Sequence, residues 1–162
     1  MRAIEFAVAG MVLLGLSLPA SGHGPPGREA GPAALAAAVQ PAAATVEAFH
    51  AALRRGDAAS AAALLADDAL IFEEGGVERS KAEYVSRHLP ADAASSQVVA
   101  STVVRRVGGS AGRFAWIASE GRTTGTWKGR PVDRATTETM LLRRARTGWK
   151  IVHIHWSSGS AP

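Results

Sequence analysis

Two histidines two residues apart, His153 and His155, are the pair in this chain most readily read as chemistry. On a strand that spacing sends both imidazoles off one face, where they could share a metal ion. The set stops at two, because the chain has no Cys and the other histidines beyond residue 40, His50 and His88, fall in helix-patterned segments. No metal is therefore expected. The pair reads as part of a sheet face, at a subunit contact that protonation near about pH 6 would weaken. Gly108-Gly109-Ser110-Ala111-Gly112 is glycine-rich but joins two strand-patterned segments and reads as a hairpin loop, which leaves a serine hydrolase unsupported. No phosphate-binding loop or dinucleotide fingerprint occurs, and no cofactor is implied. The absence of Cys and Asn excludes disulfides, thiol catalysis, a lipid anchor on cysteine and N-linked glycan.

The elements that must position any site follow from periodicity. Val46, Phe49 and Leu53 mark one stripe of a helix over Pro41–Arg55 that stops at Gly56. Asp57 N-caps a second helix running to Ala66. Leu70-Ile71-Phe72 is a short strand ending in the turn Glu73-Glu74-Gly75-Gly76. Ser80 with Glu83 has capping-box spacing for a third helix, whose Tyr84, Val85, His88 and Leu89 share a face until Pro90. After Ser95 the period changes to two. Four long segments, Gln97–Val107, Arg113–Trp127, Val132–Arg146 and Trp149–Ser158, are separated by glycine turns in the manner of an antiparallel meander. Three helices followed by a long meander predict an α+β fold with a curved, mainly antiparallel sheet packed on the helices.

With 162 residues, 47% of them hydrophobic and 20% charged, the chain has the composition of one globular domain. Phe6 to Leu18 is a 13-residue apolar run after Arg2, followed by Pro19-Ala20-Ser21-Gly22. That pattern predicts a secretory signal peptide over residues 1–22, a secreted or periplasmic product and no membrane anchor after cleavage. Residues 23–40, rich in Gly, Pro and Ala, read as a flexible tether, residues 41–158 as the domain and 159–162 as a tail. Charge is uneven: residues 41–95 carry 5 basic and 9 acidic side chains, residues 96–158 carry 11 basic and 3 acidic. The basic excess belongs to the sheet. It reads as a solvated or subunit-facing surface, and a nucleic-acid partner is not expected of an exported protein.

The segment Phe49 to Gly76, FHAALRRGDAASAAALLADDALIFEEGG, resembles the opening of the nuclear transport factor 2-like superfamily, which includes SnoaL-like polyketide cyclases and ketosteroid isomerases. The segment Gly148 to Ser158, GWKIVHIHWSS, is similar to the last strand of the association domain of calcium/calmodulin-dependent kinase. The resemblance implies a cone-like barrel with a deep pocket between sheet and helices. It places Glu73 where ketosteroid isomerases carry their general base, and Phe49, which has no hydroxyl, where they carry the oxyanion-stabilising tyrosine. It likewise sets Met140 and Trp156 where the kinase domain has pocket arginines, so that the cation is replaced by apolar surface.

With strand alternation, the expected pocket is lined by Phe49, Tyr84, His88, Trp116, Glu120, Met140 and Trp156, together with Val152, Ile154 and Leu142. The first functional expectation is an exported, homodimeric domain that binds a small apolar or weakly polar molecule without catalysis. The second is an isomerase, cyclase or dehydratase with Glu73 as base and His88, Tyr84 or Glu120 as proton donor. A third is a homo-oligomeric assembly module.

Overall fold

Alanine-rich helices supply one layer of the fold, and their small side chains allow close approach to a sheet. The computed structural model describes residues 34–161. The signal peptide and most of the tether expected from the sequence lie outside the described residues. A 3-10 turn, Ala37–Val39, leads into α1, Gln40–Arg54, and its Val39 is already part of the core. The packed structure thus starts upstream of Pro41. Gly56, at φ +70°, ends α1 in a conformation that glycine adopts without strain. Asp57 caps α2, Ala58–Leu64, by accepting from the Ser60 amide at 2.9 Å.

The strands β1, Leu65–Glu73, and β2, Gly76–Glu78, form a tight hairpin in which Glu74 and Gly75 both take positive φ. Two successive positive φ values match the right-handed twist of paired strands, so the run of Glu and Gly makes a hairpin turn. Ser80 caps α3, Lys81–Arg87, by accepting from the Glu83 amide, and Glu83 accepts from the Arg79 amide in return. The chain does not leave the helical layer at Pro90. Proline is tolerated in the first turn of a helix, where its missing N–H costs nothing, and Pro90 opens a fourth helix, α4, Leu89–Ser96.

The meander follows as β3, Val99–Ala111, β4, Phe114–Trp127, β5, Arg130–Ala145, and β6, Gly148–Ser160. One six-stranded sheet results, in the order β2-β1-β6-β5-β4-β3, with β1 and β6 parallel and the other pairs antiparallel. The α+β class and the antiparallel meander of the sequence reading are present. The sheet is open rather than closed into a barrel, and four helices rather than three pack on it.

The core lies between α1 and one sheet face: Val46 and Phe49 against Ile71, Ile117, Met140, Leu142, Ile151 and Ile154, all essentially inaccessible. Ile151 and Ile154 are three apart and cannot both face inward in a regular strand. The ladder shows how they do: Leu142 pairs with Ile151 and Leu141 with His153, which leaves Val152 as an extra residue in a bulge. Val152 therefore gives up to Ile151 the core position that simple alternation assigns it. On the opposite face Phe114, Trp116 and Leu141 are 55%, 42% and 40% exposed. The Trp116 indole lies so close over Gly109 that a Cβ there would meet its nitrogen at 2.7 Å.

Ile154→Ala should lower unfolding free energy by about 2–5 kcal/mol in a denaturant titration, because the packed core cannot collapse onto the cavity. Asp57→Ala should cost about 1 kcal/mol by loss of the α2 cap.

Candidate functional site

Where the core thins toward the β6 C-terminus, side chains from α1, α4, β1, β3, β4, β5 and β6 surround a half-open cavity of about 280 Å³. Glu73 reaches it from the end of β1, set opposite Trp156 by the parallel pairing with β6. Asp92 reaches it from α4. Burial first, and the negative charge of Asp92 second, push the Glu73 carboxyl up to about 7, while His88 pulls the other way. Asp92 is also raised, chiefly by burial, although it accepts a 2.6 Å hydrogen bond from the Tyr84 hydroxyl. Tyr84 itself is fully buried, and its phenol is raised by desolvation and by Asp92, so it remains a hydrogen-bond donor.

A second group stands in the same row of the sheet, one strand beyond Trp156. Glu138, on the inward face of β5 two residues before Met140, accepts at Oε2 from Trp156 Nε1 at 2.7 Å and from His50 Nε2 at 2.8 Å. Burial would raise its carboxyl, but His50, the Trp156 N–H and Arg106 outweigh it and hold the group below the ordinary carboxylate value. Arg106, from β3, donates through Nε to Ser119 Oγ at 2.9 Å and pairs with Glu47. Since Ser119 accepts that bond, its own hydroxyl hydrogen is free to donate into the cavity.

The residues singled out from sequence divide into three sets. Glu73 and Trp156 line the cavity, and Phe49 stacks on Trp156 with ring centroids 6.3 Å apart. Tyr84 lies behind the lining, holding Asp92, and Met140 is core below it. His88 is half-exposed and pairs with the buried Glu78, away from the lining. Trp116 sits on the outer sheet face, and Glu120 reaches only the cavity rim, pairing with Arg105 at 3.4 Å. The reason is phase: Ala115 and Ile117 are the buried residues of β4, so Ser119 points inward and its even-numbered neighbours outward. His153 and His155 also face outward, flanking Phe72, with His153 Nδ1 2.8 Å from the Leu70 carbonyl. Among the described residues no group of three His, Asp or Glu is placed to hold a metal ion.

Among the lining residues that escaped the sequence reading are His50, Asp92, Arg106, Ser119 and Glu138. Glu138 had a signal, since it shares the phase of Met140, and so did His50, next to Phe49 on the buried stripe of α1. Asp92 had none while Pro90 was read as a terminator. The cavity is consequently richer in charge than the apolar pocket expected.

The SnoaL-like domain model matches residues 42–161. The chain belongs to the SnoaL-like family. Among solved structures, a candidate ketosteroid isomerase from Shewanella frigidimarina is 36% identical over 76% of this chain and 100% of that one, with a TM-score of 0.71. A candidate dehydratase of the NTF2-like family from Streptomyces avermitilis is 19% identical, covering 76% of this chain and 97% of that one, with a TM-score of 0.65. The association domain of C. elegans CaMKII is 18% identical, covering 75% and 95%, with a TM-score of 0.62, and shares the fold. No curated protein matches the sequence.

The raised Glu73 carboxyl dictates a pH signature for this SnoaL-like domain. A group whose value rises on folding favours the folded state fully below its unfolded value, 4.5, and that contribution disappears as pH climbs through about 7. Glu73→Gln should therefore match the parent protein near about pH 4 and exceed its stability by about 1–2 kcal/mol near about pH 8, a figure reduced for the group's partial exposure. Thermal melts of both proteins across that range make the comparison.

Proposed function

We propose that this SnoaL-like domain is an acid/base enzyme of the isomerase or dehydratase type, in which Glu73 moves a proton on a small carbonyl compound. The observation that carries the reading is a carboxyl group raised to about 7 in a cavity wall, beside a second carboxylate held in place by a buried tyrosine. Its value suits both halves of a proton shuttle at neutral pH. The ionised Glu73 takes a proton from the carbon next to the carbonyl, and the C–H pair moves into the developing enolate. The Ser119 hydroxyl, already accepting from Arg106, is the donor for the enolate oxygen. The neutral Glu73 then returns its proton to the far carbon of the conjugated system, and the carbonyl re-forms. Asp92 acts on the electrostatics of Glu73, and Tyr84 positions Asp92. The 36% identity to a candidate ketosteroid isomerase supports this class of reaction. The apolar run Phe6 to Leu18, read as a signal peptide, supports action outside the cytoplasm.

Conversion of 3-cyclohexenone to its conjugated isomer, followed by ultraviolet absorbance, tests the reading. The rate should rise with pH to a plateau above a midpoint of about 7, and Glu73→Gln should lower kcat by roughly 100- to 10,000-fold. Binding of the ketone with neither isomerisation nor deuterium exchange beside the carbonyl would favour the non-catalytic binder instead. The observation on that side is Phe49, fully buried and without the hydroxyl that would complete the isomerase pattern.

The outer sheet face supports a homodimer. Phe114, Trp116 and Leu141 stand exposed on adjacent strands of β4 and β5, with His153 beside Leu141 on β6. Light scattering should give about twice the chain mass, and Leu141→Glu should shift it to that of a monomer. A parent protein that stays monomeric at high concentration excludes this surface as an interface.

A further inference from the structure

The Glu138 pole of the cavity is not needed for the proton shuttle, yet it is the more elaborately built of the two. The Glu138 side chain is 10% exposed. Its Oε2 has two donors, His50 and Trp156, whereas Oε1 is buried and has no hydrogen-bond partner among the described residues. A buried carboxylate oxygen without a donor is costly, and the site keeps this carboxylate ionised rather than letting it neutralise. The surrounding wall adds negative potential. Six carboxylate side chains line the cavity against two guanidiniums, in a chain whose net charge is +4. Arg106, one of the two, is committed to Glu47 and Ser119. Trp156 also lines the cavity, next to Glu138, and offers an aromatic surface on which a cation is stabilised.

We propose that the cavity selects small molecules carrying a protonated amine, which pairs with the Glu138 carboxylate beside Trp156, and rejects those carrying an anionic head. The inference deepens the reading of this cavity as a substrate site and rests on it: the substrate is a carbonyl compound with its amine at the Glu138 end and its reacting carbons at the Glu73 end. Neutral analogues bind through the ring alone, and carboxylates meet a wall of like charge.

Three probes of one shape separate the possibilities: cyclohexylammonium, cyclohexanol and cyclohexanecarboxylate, titrated into the full-length protein near neutral pH. The readout is the indole N–H resonance of Trp156, assigned by its disappearance in Trp156→Phe. The ammonium probe should move it with a Kd about ten-fold or more below that of the alcohol, and the carboxylate should leave it unmoved over the same range. Glu138→Gln should raise the ammonium Kd by about ten-fold or more while leaving the alcohol Kd unchanged. The probe series on the parent protein decides the matter even where that variant does not fold. Alcohol or carboxylate binding as tightly as the amine, or no response to the amine, overturns the inference. Because none of the probes reacts, Glu73-dependent isomerisation without amine preference would overturn this inference alone, and amine binding without turnover would overturn only the catalytic reading.

Discussion

The parallel pairing of β1 with β6 is the contact on which the rest of this molecule depends. It joins the helical first half of the chain to the last strand of the meander, setting Ile71 beside Ile154 and Glu73 beside Trp156. The first of those pairs is core under α1. The second is the back of the cavity. Were β1 held only by its hairpin with β2, Glu73 would be a solvated carboxylate at a turn, with the ordinary acidity of one. The bulge at Val152 serves the same purpose, because it brings Ile151 and Ile154 inward together and carries the inward phase on to Trp156.

Within the cavity, two carboxyl groups are driven in opposite directions, and the more deeply buried of them, Glu138, is the one held low. Glu73 is desolvated among other carboxylates and rises. Glu138 is desolvated too, but two donors and a nearby guanidinium reverse the effect. Desolvation sets the scale of both effects, and the partners set the sign. A cavity with one carboxyl poised to exchange a proton and another held ionised can separate chemistry from recognition, which a single apolar pocket cannot do. Tyr84 and Asp92 tie α3 to α4 through their 2.6 Å hydrogen bond, so the helix contributing Asp92 is held by a buried interaction rather than by its own short length.

The two faces of the meander have divided their labour by parity. Inward positions of β4 and β5 pass from core residues, Ile117 and Met140, to cavity residues, Ser119 and Glu138, two positions along each strand. Outward positions carry the exposed Phe114, Trp116 and Leu141 together with Arg122 and Arg143, two of the arginines behind the basic excess of the second half of the chain. Much of that charge is locally neutralised: Arg122 forms two 2.7 Å bonds with Asp133, and Arg143 holds Asp68.

Periodicity and capping residues were enough, without any contact information, to determine the α+β class, three of the four helices, the four-stranded meander, the stop at Gly56 and the helix starts at Asp57 and Ser80. These are local effects, written in hydrogen bonds between residues three or four apart and in the two-residue period of a strand. The family was legible in the likeness of Phe49–Gly76 and Gly148–Ser158 to known members, and Glu73 was legible as a cavity residue through that likeness. Tertiary structure decided what local rules leave degenerate. Pro90 can end one helix or begin the next, and only packing of α4 on α1 and α3 selects the second, which brings Asp92 to the cavity. Alternation says that Trp116 and Glu120 share a face but not which one, because both faces of β4 carry apolar residues, and the choice fell to burial of Ala115 and Ile117 under α1. The bulge at Val152, set against Leu141 and Leu142, and the opposite behaviour of Glu73 and Glu138, set by Asp92 on one side and by His50, Trp156 and Arg106 on the other, depend on residues of other elements, and no local pattern encodes them.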